Sequence, residues 1–171
     1  MKALSIRNPW AWAILHAGKR IENRSWGKSS FRGEVLIHAS KRPSEDTVID
    51  DALDFGNFCR ERRIQLPHGA TPGKLTARDL FRDCGGIVGV ARVVDIRPNG
   101  DAPESPWAIA GLTGLVLDDV RALPAIVHCN GALGFWNVPD SVMGLVNEQL
   151  RLLREGERSE EDRQEMRELG A

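Results

Sequence analysis

Lys19, Glu22 and Arg24 are the residues of this chain whose types and spacing best equip it for chemistry. They alternate in sign within the run Gly18-Lys19-Arg20-Ile21-Glu22-Asn23-Arg24-Ser25-Trp26. Lysine and arginine supply only donors, and a carboxylate between them orients them or accepts from an amine, so such an array can hold a phosphate or a base edge. A Lys–Glu pair can also do acid–base work if burial moves either pKa toward neutrality. The competing reading is a surface strand carrying ordinary ion pairs, which contribute little. Trp10, Trp12 and Trp136 offer flat apolar faces. A base stacked on such a face gains about 1–3 kcal/mol. The alternative role for these indoles is packing alone.

The elements that must position these groups begin with a short strand at Ala3–Ile6 and a helix opened by Asn8-Pro9. Asn suits the cap and Pro the first helical position, and Gly18 is the expected left-handed stop after Ala17. On a 100° wheel Trp10, Ala13, Ile14 and Ala17 share one face while Trp12, Leu15 and His16 share another. The two indoles are therefore expected in different surroundings, one in a core and one available to a cleft. If the chain extends from Lys19 to Trp26, then Arg20, Glu22, Arg24 and Trp26 face one way and Lys19, Ile21, Asn23 and Ser25 the other. Lys19 joins Glu22 and Arg24 only if it sits in the turn after Gly18. Gly27 to Ser30 reads as a turn, and Phe31 to Ala39 as a strand returning in a hairpin, with Val35 and Ile37 on one face and Glu34, Leu36 and His38 on the other. His38 is either cleft lining or a satisfied structural imidazole, the structural role being the simpler.

Further along, Pro43-Ser44-Glu45-Asp46 opens a helix whose Val48, Ile49, Ala52, Leu53, Phe55 and Phe58 are spaced to pack, and which ends in Arg60-Glu61-Arg62-Arg63. Leu66 to Lys74 is an aperiodic loop that could lie over a cleft as a lid. A helical turn follows at Thr76–Phe81. The strand Ile87–Ile96 is expected to place Val88, Val90, Arg92, Val94 and Ile96 on one face, with Gly89, Ala91 and Val93 opposite. Asn99-Gly100-Asp101 is a turn, and Leu115 to Leu123 a strand broken by Pro124. Ile126–His128 and Phe135–Val138 read as closing strands around an Asn130-Gly131 turn. Asp140 starts a helix, and beyond Glu155 the chain is dense in Glu and Arg.

Composition narrows the function classes. With 171 residues, 42% hydrophobic and 27% charged, the chain fits one soluble domain, and no apolar run is long enough to span a bilayer. The first residues lack a secretory signal, so a cytoplasmic location is expected. A net charge of −1 excludes coating nucleic acid by bulk electrostatics, and any contact must be local. Cys59, Cys84 and Cys129 have neither disulfide-framework nor zinc-site spacing, so reduced thiols, no metal and no cofactor are expected. His128 and Cys129, adjacent on a strand, point to opposite faces and make a poor nucleophile–base pair. There is no Gly-rich phosphate loop, His–Glu metal motif or nucleophile elbow.

The spacing Lys19-x-x-Glu22-x-Arg24 behind Gly18 follows Asn8-Pro9-Trp10-Ala11 and precedes the strand ending His38-Ala39-Ser40-Lys41. Together these resemble the signature of the ASCH (activating-signal-cointegrator homology) family. The resemblance covers residues 2–41, and Gly131-Ala132-Leu133-Gly134-Phe135-Trp136 is similar to the family's closing strand. It implies an α+β fold, a PUA-like small mixed β-barrel with flanking helices. The ASCH-like domain would occupy residues 1–155 and a charged tail, helical or disordered, residues 156–171. A cleft beside the barrel would receive RNA, another single-stranded nucleic acid or a modified nucleoside, with Trp10, Trp12, Lys19, Glu22, Arg24 and Trp136 as binding residues. Some small members are acetylcytidine amidohydrolases in which the motif lysine works with a threonine three residues later and a glutamate elsewhere. Here that threonine position is Glu22, and a carboxylate cannot replace a hydroxyl nucleophile. Lys19 and Glu22 acting on RNA or a nucleoside remains the enzymatic alternative, ribonuclease activity having been proposed for similar domains. A protein-interaction domain whose tail recruits a partner helix is a third.

Overall fold

The computed structural model describes residues 1–25, 29–66, 75–98, 102 and 104–168. Trp26, the first half of the turn expected at 27–30, residues 67–74 of the expected loop and the turn expected at 99–101 lie outside them. Among the described residues the order is β1 (Lys2–Ile6), α1 (Trp10–His16), β2 (Ile21–Arg24), β3 (Gly33–Ala39), α2 (Glu45–Glu61), α3 (Ala77–Leu80), β4 (Gly86–Arg97), β5 (Thr113–His128), β6 (Phe135–Asn137) and α4 (Asp140–Glu168). The strands form one mixed sheet ordered β2-β5-β4-β3-β1-β6, with β1 and β3 parallel and the other neighbours antiparallel. The sheet is curled into a half-barrel. Four strand steps separate β2 from β1, roughly 19 Å if the sheet were flat. Yet Arg24 Nη2 on β2 donates to Ser5 O on β1 at 2.7 Å.

Three apolar clusters fix this shape. Inside the curl, Leu4, Ile6, Val35, Ile37, Val93, Leu115 and Leu117 pack with Ala11 and Ile14 of α1. On the opposite face Ala3, Leu36, Ile87, Val90 and Val127 meet Val146 and Leu150 of α4. Val35 and Ile37 thus separate from Leu36 as period-two alternation requires. The third cluster joins Ala13, Ala17 and Ile21 to Val48, Phe55 and Cys59 of α2, Leu80 of α3 and Trp107. Ser44 caps α2, accepting from the Thr47 N–H, and Thr76 with Asp79 forms a capping box on α3.

Several local expectations are corrected. β2 and β3 do not form a hairpin; β2 pairs with β5, and both edges of β3 are taken by β1 and β4. Pro124 does not end a strand. β5 runs through it, because residues 123–126 fall between the Ala122 and Val127 pairings with β4, where a missing N–H is tolerated. The Asn130-Gly131 segment is not a hairpin turn either, since β6 pairs with β1. Bulges in β4 split the expected face, sending Val88 into the inner cluster and Val90 into the α4 cluster and leaving Val94 exposed. On α2, Ile49 and Leu53 face outward and line an apolar groove of about 400 Å³ with Leu66, Leu75 and Leu80.

Candidate functional site

Helix α1 ends at His16, and Gly18, at φ +67°, turns the chain so that Lys19 precedes the strand alternation. Lys19 therefore swings back beneath β2. Its side chain is 2% exposed, and Nζ donates to Ile21 O and to Glu22 Oε2, both at 2.5 Å. Glu22 Oε1 lies 3.2 Å from Arg24 Nε. Lys19, Glu22 and Arg24 thus form a continuous +/−/+ array, and the turn after Gly18 is what admits the lysine. Burial pushes the Lys19 ammonium below its ordinary range; the Glu22 carboxylate opposes this, and Arg24 adds to it.

The same strand is anchored on its other side by a residue that charge patterning does not flag. Asn23 Nδ2 donates to Trp107 O at 2.8 Å, and its Oδ1 accepts from the Ile109 N–H at 3.0 Å. A polar side chain on the face shared with Ile21 was the available signal. Arg20 donates to Ile14 O, closing the end of α1.

The tryptophans are distributed differently from expectation. Trp10 and Trp12 do enter one cluster: both indoles meet Phe55 edge-on, at 5.3 Å and 6.2 Å, and Trp10 also meets Phe58. Their Cα positions diverge around the helix, yet rings of this size reach one aromatic on α2 from either side. Trp136 is elsewhere, its Nε1 donating to Ser5 Oγ at 3.1 Å. Ser5 is the joint between the regions, since its carbonyl accepts from Arg24 and its hydroxyl from Trp136.

Lys19 and Glu22 are buried and Arg24 is 17% exposed. A concavity of about 450 Å³ lies where the ends of β3 and β5 meet, lined by His38, Lys41, His128, Cys129, Asn130 and Gly131. His38, 2% exposed, is joined through Nε2 to Cys129 O at 3.0 Å and meets Trp136 edge-on at 5.6 Å. No group of three or more His, Cys, Asp or Glu side chains among the described residues is placed to hold a metal.

The model of the ASCH domain family matches residues 4–109, more than half of the 171. The chain belongs to the ASCH domain family. The match spans the array and the 42–109 segment, on which no motif bears, and stops before Gly131–Trp136. The ASCH fold is PUA-like, in keeping with the curled mixed sheet. No curated protein matches the chain. No helix among the described residues is long and apolar enough to cross a membrane.

Proposed function

We propose that this ASCH domain binds single-stranded RNA or a modified nucleoside where β2 and β1 approach each other. The observation that carries this reading is the gradient of exposure along the array: side chains of Lys19 at 2%, Glu22 at 8% and Arg24 at 17%. Arg24 is the outward cation, and the inner pair props it. A guanidinium already oriented by a carboxylate loses little freedom on meeting a phosphate or carbonyl. Trp136, held by the serine that also accepts from Arg24, is the indole for stacking. Trp10 and Trp12 are engaged with α2, which favours packing as their role. Local recognition of this kind suits a chain of net charge −1.

Fluorescence anisotropy of a labelled single-stranded oligoribonucleotide tests the reading. Salt-sensitive binding is expected for the native protein, weakened about tenfold by Arg24→Ala, the loss of one charge-assisted contact. Melting curves separate this from loss of the Ser5 tether. No binding by the native protein at low salt overturns it.

One observation favours a hydrolase as the second reading: a desolvated lysine with lowered pKa in contact with a carboxylate is equipped for proton transfer. Turnover of mixed-sequence RNA or an acylated cytidine, abolished by both Lys19→Ala and Glu22→Gln, is its signature. Absence of turnover in the native protein removes it.

A further inference from the structure

We infer that the concavity bounded by His38, Lys41, His128 and Asn130 is a subsite for the phosphate of a nucleotide. The inference rests on the nucleic-acid reading above only for its choice of a nucleotide among phosphate-bearing ligands.

The lining carries the ammonium of Lys41, two imidazoles, the Asn130 amide and a thiol, with no carboxylate, so an anion entering it meets the Lys41 ammonium and the Asn130 amide as donors and no like charge. Its volume of about 450 Å³ exceeds the needs of a bare oxyanion and falls in the range of small-molecule sites. At the floor, a carbonyl can only accept, so the His38 nitrogen facing Cys129 O carries a hydrogen. The other nitrogen, Nδ1, is buried and has no hydrogen-bond partner among the described residues. In the neutral ring this nitrogen is an acceptor; buried polar atoms are ordinarily paired, so it marks where a donor, a ligand hydroxyl or an ordered water, completes the set. Gly131 is the cover over this nitrogen: a Cβ there would lie 2.7 Å from Nδ1 and 2.5 Å from both His38 Cε1 and Ser5 Oγ. Only glycine lets the backbone lie so close to the ring.

The same segment supplies an apolar surface. Two residues beyond Gly131, Leu133 is 99% exposed, which suits it to lie against the flat face of a base. Lys41 and the Asn130 amide would then hold the phosphate, with His128 beside them and His38 behind.

The four histidines, His16, His38, His68 and His128, make imidazole NMR a direct readout. Uridine 5′-monophosphate is expected to shift the His38 and His128 resonances and leave His16 unmoved. Binding should be tighter than that of inorganic phosphate or uridine, and about tenfold weaker in Lys41→Ala. Equal binding of uridine and its monophosphate overturns the phosphate assignment, and equal binding of inorganic phosphate overturns the nucleotide. Unchanged affinity in Lys41→Ala also overturns the proposal. Gly131→Ala, which crowds His38, should abolish the His38 shift even where Lys41 is intact. Failure of the oligoribonucleotide assay alongside intact monophosphate shifts would sink the RNA reading alone; normal oligoribonucleotide binding with silent histidines would sink this one alone.

Discussion

The Lys19 array and the His38 concavity meet at Ser5 but are built in opposite ways. The array is local in sequence and closed: an ammonium and a carboxylate of almost no exposure satisfy one another. The concavity is assembled from segments 91 residues apart, opens to solvent, and keeps a buried nitrogen unsatisfied. A dense local charge pattern thus builds a pair that props an outward cation, whereas the concavity is made by distant backbone ends. Chemistry-bearing residue types alone do not distinguish a strut from a contact.

The sharpest way to break this contrast is Glu22→Ala, which leaves Lys19 buried opposite Arg24 without its carboxylate. Removing one partner of a buried pair costs about 3–5 kcal/mol. Urea denaturation should register it, and a loss within about 0.5 kcal/mol would place the array among surface ion pairs. In the concavity, Gly131→Ala should cost about 1–3 kcal/mol, because the new Cβ crowds the His38 ring and Ser5 Oγ. A neutral result in thermal melts would mean that the segment over His38 yields freely.

Alkaline pH gives the smallest and most selective effect. Burial pushes the Cys59 thiol up to about 11 from 9.0, so in that window the unfolded chain has lost a proton that the folded chain keeps, and stability falls as pH rises. Lys19 is lowered from 10.5, so just below that value the unfolded chain holds a proton the folded one has released, and its contribution makes stability rise with pH. Lys19→Met should therefore steepen the decline of the melting midpoint above pH 9, and Cys59→Ala should flatten it. An unchanged profile in Lys19→Met would contradict a desolvated lysine.

What could be read from residues alone follows the same division. The Ser44 cap, the alternation of Val35, Leu36 and Ile37, and the convergence of Lys19 on Glu22 depend on neighbours within a few positions. The partner of β2 was not legible, because a four-residue strand with polar and apolar positions fits any open edge, and only the completed β4–β5 ladder offers one. Pro124 misled because a proline is forbidden only where a ladder bond is needed, and which positions lack one is decided by bulges elsewhere. His38 was ambiguous because one ring does both things: one nitrogen is structurally satisfied and the other is not.

Arg121 has a consequence for the far end of the molecule. Its guanidinium lies 3.0 Å from Asp119 and 3.8 Å from Glu34 on the sheet, and 3.5 Å from Glu157 on α4. Helix α4 is therefore fastened twice, by oil near Val146 and Leu150 and by charge a few turns later. Salt weakens only the second fastening. Raising ionic strength should let the outer turns swing about the greasy pivot, so that trypsin cuts after Arg158 before the sheet loosens.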